Sequence, residues 1–193
     1  HDSPGLRIGR IEDKMGTRAG SHGEIFFDEM RVPKENMLGD ENDAFKIIAE
    51  TFRGNAIGVG AESLGLCRAA YEMALDYAQQ RESWGKPIRQ YESTLEKLVN
   101  MRVNIEASRM LVWRIAWAVD HPELSEGLDG LASMAKLFPS ELARGITIDA
   151  LQIMGGYGYM KDYPAEKYVR DSMVLPIRDL TSEFIRLGLG GKL

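Results

Sequence analysis

Cysteine is nearly absent from this chain, with one thiol, Cys67, in 193 residues. A lone cysteine excludes an internal disulfide, and its place in the helical pattern Leu64, Cys67, Tyr71, Leu75, Ala78 makes it a small core residue suited to a reducing compartment. Histidine is also scarce. His1, His22 and His121 show no metal-ligand spacing, so no metal is expected. There is no uncharged apolar run of the roughly 18 residues that a membrane span needs, and the first residues lack the basic region and apolar stretch of a signal peptide. The sequence carries no address, and a bacterial cytoplasm, ahead of a mitochondrial matrix, is the expected location. Basic residues are dispersed in a chain of net charge −5, which excludes a phosphate-tracking surface and hence nucleic acid as a partner.

What is present suffices for one core and a small appendage, since 44% of residues are hydrophobic and 27% charged. Residues 1–39 are rich in Gly, Pro and charge. They contain one extended segment, Glu24 to Val32, bounded by Gly23 and Pro33, and read as strands. From Asp40 the period becomes helical. Asp40 or Asn42 can cap a first helix, and a long one follows from about Ile57 to Gln80, in which Gly58, Gly60 and Gly65 mark close helix contacts. A third runs from about Ser93 to Val119 with an apolar stripe at Leu95, Leu98, Ile105, Val112, Ala116 and Val119, stopped by His121-Pro122. A fourth runs from about Leu128 to Met154, with Pro139 inside it and Gly155-Gly156 at its end. A short helix should start after Pro164, and a last one near Thr181 or Ser182. The expected fold is mainly α: an up-down four-helix-bundle-like domain over 40–193, preceded by a partial β-barrel segment over 1–39.

Three short signatures occur in fixed order. The first, Arg81-Glu-Ser83-Trp84-Gly85-Lys86-Pro87-Ile88, puts a guanidinium fork beside a hydroxyl, a pair that satisfies several phosphate oxygens at once. Arg81 could equally be a solvated cation at a helix C-terminus. The second, Gln152-Ile-Met-Gly155-Gly156-Tyr-Gly158, offers backbone N–H groups with no Cβ in the way of an anionic ligand, although Gly also serves as an ordinary helix C-cap. Tyr163-Pro164-Ala-Glu166 and Arg170-Asp171 follow it. The third is Ile177-Arg178-Asp179-Leu180-Thr181-Ser182-Glu183. Its Asp179 is either a base or a first-turn carboxylate for the last helix.

Together these segments resemble the C-terminal half of a flavin-dependent acyl-CoA dehydrogenase, and the resemblance covers nearly all of the chain. It implies FAD as cofactor and an acyl-CoA thioester as substrate. Arg81, Ser83, Trp84, Gln152, Gly155, Gly156, Thr181 and Glu183 are then the cofactor-binding residues, with the Arg81 turn and the Gln152 segment reaching the flavin of a neighbouring subunit. It implies a homo-oligomer, a dimer of dimers, and electron-transfer flavoprotein as an electron-accepting partner. In the family a base removes the α-proton while the flavin takes the β-hydride. The family's usual Tyr-Glu-Gly-Thr is here Arg178-Asp179-Leu180-Thr181, so Asp179 becomes the base, and its backbone N–H the donor to the thioester carbonyl.

The departures bear on the substrate. Aspartate is one methylene shorter than glutamate, Ala56 stands where an arginine is common, and Glu92 stands near the place of a glutamine. Asn55 occupies the position where a subset of the family keeps its base, and cannot act as one. Asn55, Arg178 and Leu180 are the substrate-facing residues, with Arg178 expected either to pair with a polar or carboxylated acyl group or to point to solvent. Two alternatives stay open: a nitroalkane-oxidase-like flavoenzyme using Asp as base, whose arginine at the spacing of Arg186 does not discriminate because ordinary dehydrogenases have it too, and a non-catalytic oligomerisation module. Family members are about twice this length, so the chain alone is expected to be silent, as a fragment, an ordered remainder or one subunit of a split enzyme.

Overall fold

A computed structural model describes residues 3–124 and 130–191; His1 and Leu128 lie outside the described residues. The mainly helical class expected from the sequence is what the structure shows. Strands β1 (Leu6–Ile11) and β2 (Gly23–Phe27) form an antiparallel pair, with Leu6 opposite Phe27 and an irregularity between Ile8 and Ile11. The extended segment is shorter than expected. After Phe27 the chain turns through Glu29 at φ 47° and does not continue to Val32 as strand.

The first two expected helices are one, α1 (Ala44–Gln80), which passes through Gly54, Gly58, Gly60 and Gly65 unbroken. A helical glycine costs about 0.5–1 kcal/mol relative to alanine, and burial of the helix face outweighs that. Neither Asp40 nor Asn42 caps it, because Asn42 turns the chain at φ 75° and the helix begins after Asp43. Of the three glycines expected at close contacts, Gly60 is one: a Cβ there would lie 2.2 Å from the Ala135 carbonyl oxygen, whereas Gly58 and Gly65 face open space.

Helix α2 (Glu92–Asp120) ends at His121, whose ring stacks on Trp117, and α3 (Leu131–Met154) ends at Gly155. The short α4 (Gly156–Tyr159), α5 (Ala165–Ser172) and α6 (Ser182–Gly190) complete the order. The core joins Val59, Cys67, Ala70 and Ala74 of α1 to Leu98, Met101 and Ile105 of α2 and to Ala143, Ile146 and Ala150 of α3. Small residues on α1 and α3 let the two backbones approach closely. Cys67 is a core residue as expected, and burial pushes its thiol up to about 12.

The buried row of α2 is Leu98, Met101, Ile105, Ser108, Val112, Ile115 and Ala118, so Leu95, Ala116 and Val119 of the expected stripe fall outside it. Positions 98, 105, 112 and 119 are spaced by sevens. A straight helix drifts about 20° per seven residues, and three such steps carry Val119 off the buried face.

The β segment is fastened to α5. The Thr17 N–H donates to Asp171 Oδ1 at 2.6 Å, and Arg170 donates to the Met15 carbonyl at 2.8 Å while gripping Glu166 through two bonds. A Cβ at Gly16 would lie 2.4 Å from the Arg170 carbonyl oxygen, which makes this contact one of backbone on backbone. Glu166, Arg170 and Asp171, part of the second signature, therefore act here as a clamp between segments.

Candidate functional site

The expected site residues fall into two clefts. The first lies at the C-terminal end of α1. Strands β3 (Glu82–Ser83) and β4 (Lys86–Pro87) make a two-residue hairpin whose tip, Trp84 at φ 50° and Gly85 at φ 81°, has both central residues in the left-handed region that such turns require. Tyr91 fixes the hairpin by donating its hydroxyl hydrogen bond to the Ser83 carbonyl at 2.6 Å. Beside it, a cleft of ≈ 550 Å³ is lined by Tyr77, Arg81, Ser83, Gly155, Gly156 and Tyr157, among others.

Arg81 is exposed, and among the described residues its guanidinium has no hydrogen-bond or ion-pair partner. Gly155, at φ 58° and ψ −133°, adopts a conformation reserved for glycine, and added Cβ atoms at Gly155 and Gly156 would meet nothing within 4 Å. The Gly155 N–H is spent on the Leu151 and Gln152 carbonyls, but an unpaired cation and glycine backbone open to a ligand suit a diphosphate, so the residues present fit a dinucleotide such as FAD. Gln152 sits one turn earlier on α3, exposed, with its side chain outside the lining. Trp84 is 95% exposed at the hairpin tip.

The second cleft lies along the N-terminal half of α1. Gly54, Asn55, Gly58, Val59 and Glu62 face Arg178 and Asp179 across ≈ 400 Å³. Asp179 stands at φ 60° in the turn that precedes α6, exposed, and among the described residues neither its carboxylate nor its backbone N–H has a hydrogen-bond partner. Arg178 is paired with Glu62 through both guanidinium nitrogens, Nη1 at 3.3 Å from Oε1 and Nη2 in a shorter bond to Oε2. An incoming carboxylate would have to compete with Glu62 for it. Thr181 caps α6, its hydroxyl accepting the Phe184 N–H at 3.3 Å, and Glu183 follows as an exposed first-turn carboxylate. Arg186 is held by Glu141 of α3, and that guanidinium, with Ser182 beside it, keeps the Glu141 carboxyl below its ordinary range.

One residue of this end was not anticipated. Lys136 of α3 is 1% exposed and donates to the carbonyls of Pro176 at 3.1 Å and Leu180 at 2.7 Å. The signal was available, because Lys136 shares a helical face with Pro139, Ser140 and Ala143, all buried, and a lysine on a buried face requires a partner.

The two clefts belong to different halves of one helix. Asn55 and Arg81 are 26 positions apart in α1 and its cap, about 39 Å at 1.5 Å per residue. Among the described residues there is no cluster of three His, Cys, Asp or Glu able to hold a metal, and no helix is long and apolar enough to cross a membrane.

The folded unit is a helical domain with a glycine-opened cleft beside the Arg81 hairpin and an exposed carboxylate on the turn before α6. The chain belongs to the acyl-CoA dehydrogenase family, whose C-terminal domain matches residues 42–190. It is 39% identical over 193 residues to the mitochondrial short-chain specific acyl-CoA dehydrogenase of Bos taurus, covering 99% of this chain and 46% of that protein. It superposes on butyryl-CoA dehydrogenase from Megasphaera elsdenii with a TM-score of 0.93 at 38% identity, covering 99% of this chain and 49% of that one. A chain from a structure of the electron transferring flavoprotein of Acidaminococcus fermentans matches with a TM-score of 0.92 at 40% identity, covering 97% and 48%. The chain spans about half the length of the curated relatives it matches.

Proposed function

We propose that this chain is the C-terminal part of an FAD-dependent dehydrogenase that desaturates an acyl-CoA thioester between its α and β carbons. The observation that carries this reading is Asp179, which offers a free carboxylate and a free backbone N–H from one residue at the cleft opposite Asn55. The carboxylate takes the α-proton, and the amide N–H donates to the thioester oxygen as charge develops there. When bound, the flavin supplies the two-electron acceptor for the β-hydride. Because aspartate is short, the turn's left-handed geometry at Asp179 becomes part of the positioning.

Arg81, Ser83, Gly155 and Gly156 would hold the cofactor's diphosphate. Their distance from Asp179 along α1 favours service to a flavin in a neighbouring copy and hence a homo-oligomer, with a dimer of dimers as the expected form. Exposed Leu95, Val99, Val103, Met110 and Trp113 on α2 give such an assembly an apolar surface. Residues 1–39 are read as the end of a β domain and 40–193 as the helical domain. Relatives suggest a short acyl chain and electron transfer to a flavoprotein partner.

The test is the absorbance spectrum of the full-length, flavin-loaded protein before and after anaerobic addition of acyl-CoA thioesters and of a nitroalkane. Bleaching of the flavin bands by a thioester is expected. Bleaching by the nitroalkane alone would replace this reading with the oxidase that an aspartate base also allows, and absence of flavin would leave an assembly module.

A further inference from the structure

We infer that Lys136 is the positioning residue for Asp179, its buried ammonium holding the carbonyls on both sides of the turn that presents the carboxylate. This rests on the reading of Asp179 as base. Pro176 and Leu180 bracket residues 177–179, and Lys136 reaches both from the second turn of α3 at 3.1 and 2.7 Å. The Pro176 carbonyl also accepts the Ser182 N–H at 3.0 Å, so one oxygen ties the turn, the start of α6 and α3 together. Within the bracket the backbone bonds are local: Ile177 and Arg178 both donate to Val174, at 3.0 and 2.8 Å. Nothing in that local pattern fixes Asp179, which sits in the left-handed region without a glycine's freedom. Among the described residues the long-range hold on the turn's backbone comes from Lys136, while Glu62 grips the neighbouring Arg178 side chain.

A lysine is an expensive means of filling space. Burying its ammonium costs free energy unless bonds satisfy it, and an apolar residue of similar volume packs as well or better. What an apolar residue cannot do is join two carbonyls that face each other across a turn. Burial pushes the Lys136 ammonium down, the carboxylates of Asp179, Glu141 and Glu183 push it back up, and Arg178 opposes them.

The experiment compares wild type, Lys136→Met, Lys136→Gln and, as reference, Asp179→Asn, all as the full-length flavin-loaded protein. Its first readout is amide hydrogen exchange over residues 176–182, which does not depend on the chemistry. In Lys136→Met the Arg178 and Ser182 amides should exchange about tenfold faster or more, the scale of losing a charge-assisted bond, while core amides of α1 stay unchanged. Lys136→Gln, which keeps a neutral donor, should fall between.

The second readout is kinetic. In Lys136→Met kcat should drop by about 10- to 100-fold with little change in KM, as for a misplaced base. Exchange at 176–182 equal to wild type in either Lys136 variant overturns the proposal, as does a kcat within twofold of wild type. If Lys136→Met does not fold, Lys136→Gln decides alone by the same criteria. Should Asp179→Asn retain full kcat, the base assignment fails, and the exchange data still report whether Lys136 holds the turn.

Discussion

The two ends of α1 solve opposite problems. At the Asp179 end the surrounding polar groups are matched within the chain: Lys136 to two carbonyls, Arg178 to Glu62, Arg186 to Glu141, and Thr181 to the start of α6. Among the described residues the Asp179 carboxylate and amide take no hydrogen-bond partner. At the Arg81 end the reverse holds, with an unpaired guanidinium and two glycines that open onto free space. A chain that ties down the cations around one reactive carboxylate is built to aim it. A chain that leaves a cation and bare backbone exposed is built to receive a charged ligand. The predictions test that division, and the first removes the group that one end is organised to present.

Asp179→Asn should lower kcat for thioester oxidation by about 10²–10⁴-fold, the usual value of a positioned general base. The side chain is exposed and bonds to nothing, so flavin content and melting temperature should stay at wild-type values, as read by absorbance and calorimetry. A variant that keeps wild-type kcat would erase the distinction between the ends.

At the opposite end, Arg81→Ala should spare the chemistry and weaken the cofactor. Losing charge-assisted hydrogen bonds of about 1.5–3 kcal/mol corresponds to about 10- to 150-fold in flavin affinity, measured by titrating the flavin-stripped protein. With flavin saturating, kcat should recover to near wild type. A persistent kcat defect would place Arg81 at the reacting centre instead.

Gly155→Ala separates conformation from space at the same cleft. No atom lies within 4 Å of the added Cβ, yet φ 58° with ψ −133° is strained for any residue with a side chain, which should cost about 1–3 kcal/mol. For a domain of this size that is a fall in melting temperature of roughly 2–4 °C per kcal/mol. An unchanged melting temperature would mean that the turn relaxes freely, and that Gly155 is there for the ligand alone.

These two ends were not equally legible in the sequence. The Arg81 end could be read because its chemistry sits in contiguous residues: a hairpin of Arg81 to Pro87 and a helix stop at Gly155-Gly156. At the Asp179 end the carboxylate was visible and its support was not, since Lys136 precedes the turn it holds by about 40 residues and Glu62 precedes Arg178 by 116. Helix limits were legible wherever Pro or Gly punctuates the chain, as at Pro164 and Gly155. They failed where packing overrides propensity, as in the glycine-bearing first half of α1. The Arg170 and Asp171 charges are used on the backbone of Met15 and Thr17, with Glu166 holding Arg170, a contact between segments about 150 residues apart.

The smallest effect sharpens the comparison most, because it asks whether the Asp179 end is as self-contained as its bonding suggests. Arg178 and Glu62 are partly exposed, so their pair should contribute only about 0.2–1 kcal/mol to stability, measurable by a double-mutant cycle of Arg178→Ala and Glu62→Gln. Its influence on substrate choice should be larger than on the fold. While Glu62 occupies the guanidinium, an acyl chain ending in a carboxylate must displace it and then lies beside a like charge, so wild type should prefer uncharged acyl groups. Glu62→Gln removes the competitor and frees Arg178, and kcat/KM for a carboxylated acyl thioester relative to an uncharged one should rise, whereas Arg178→Ala should not raise it. Equal ratios in all three proteins would mean that Arg178 serves the turn alone, and that the acyl group never reaches the pair.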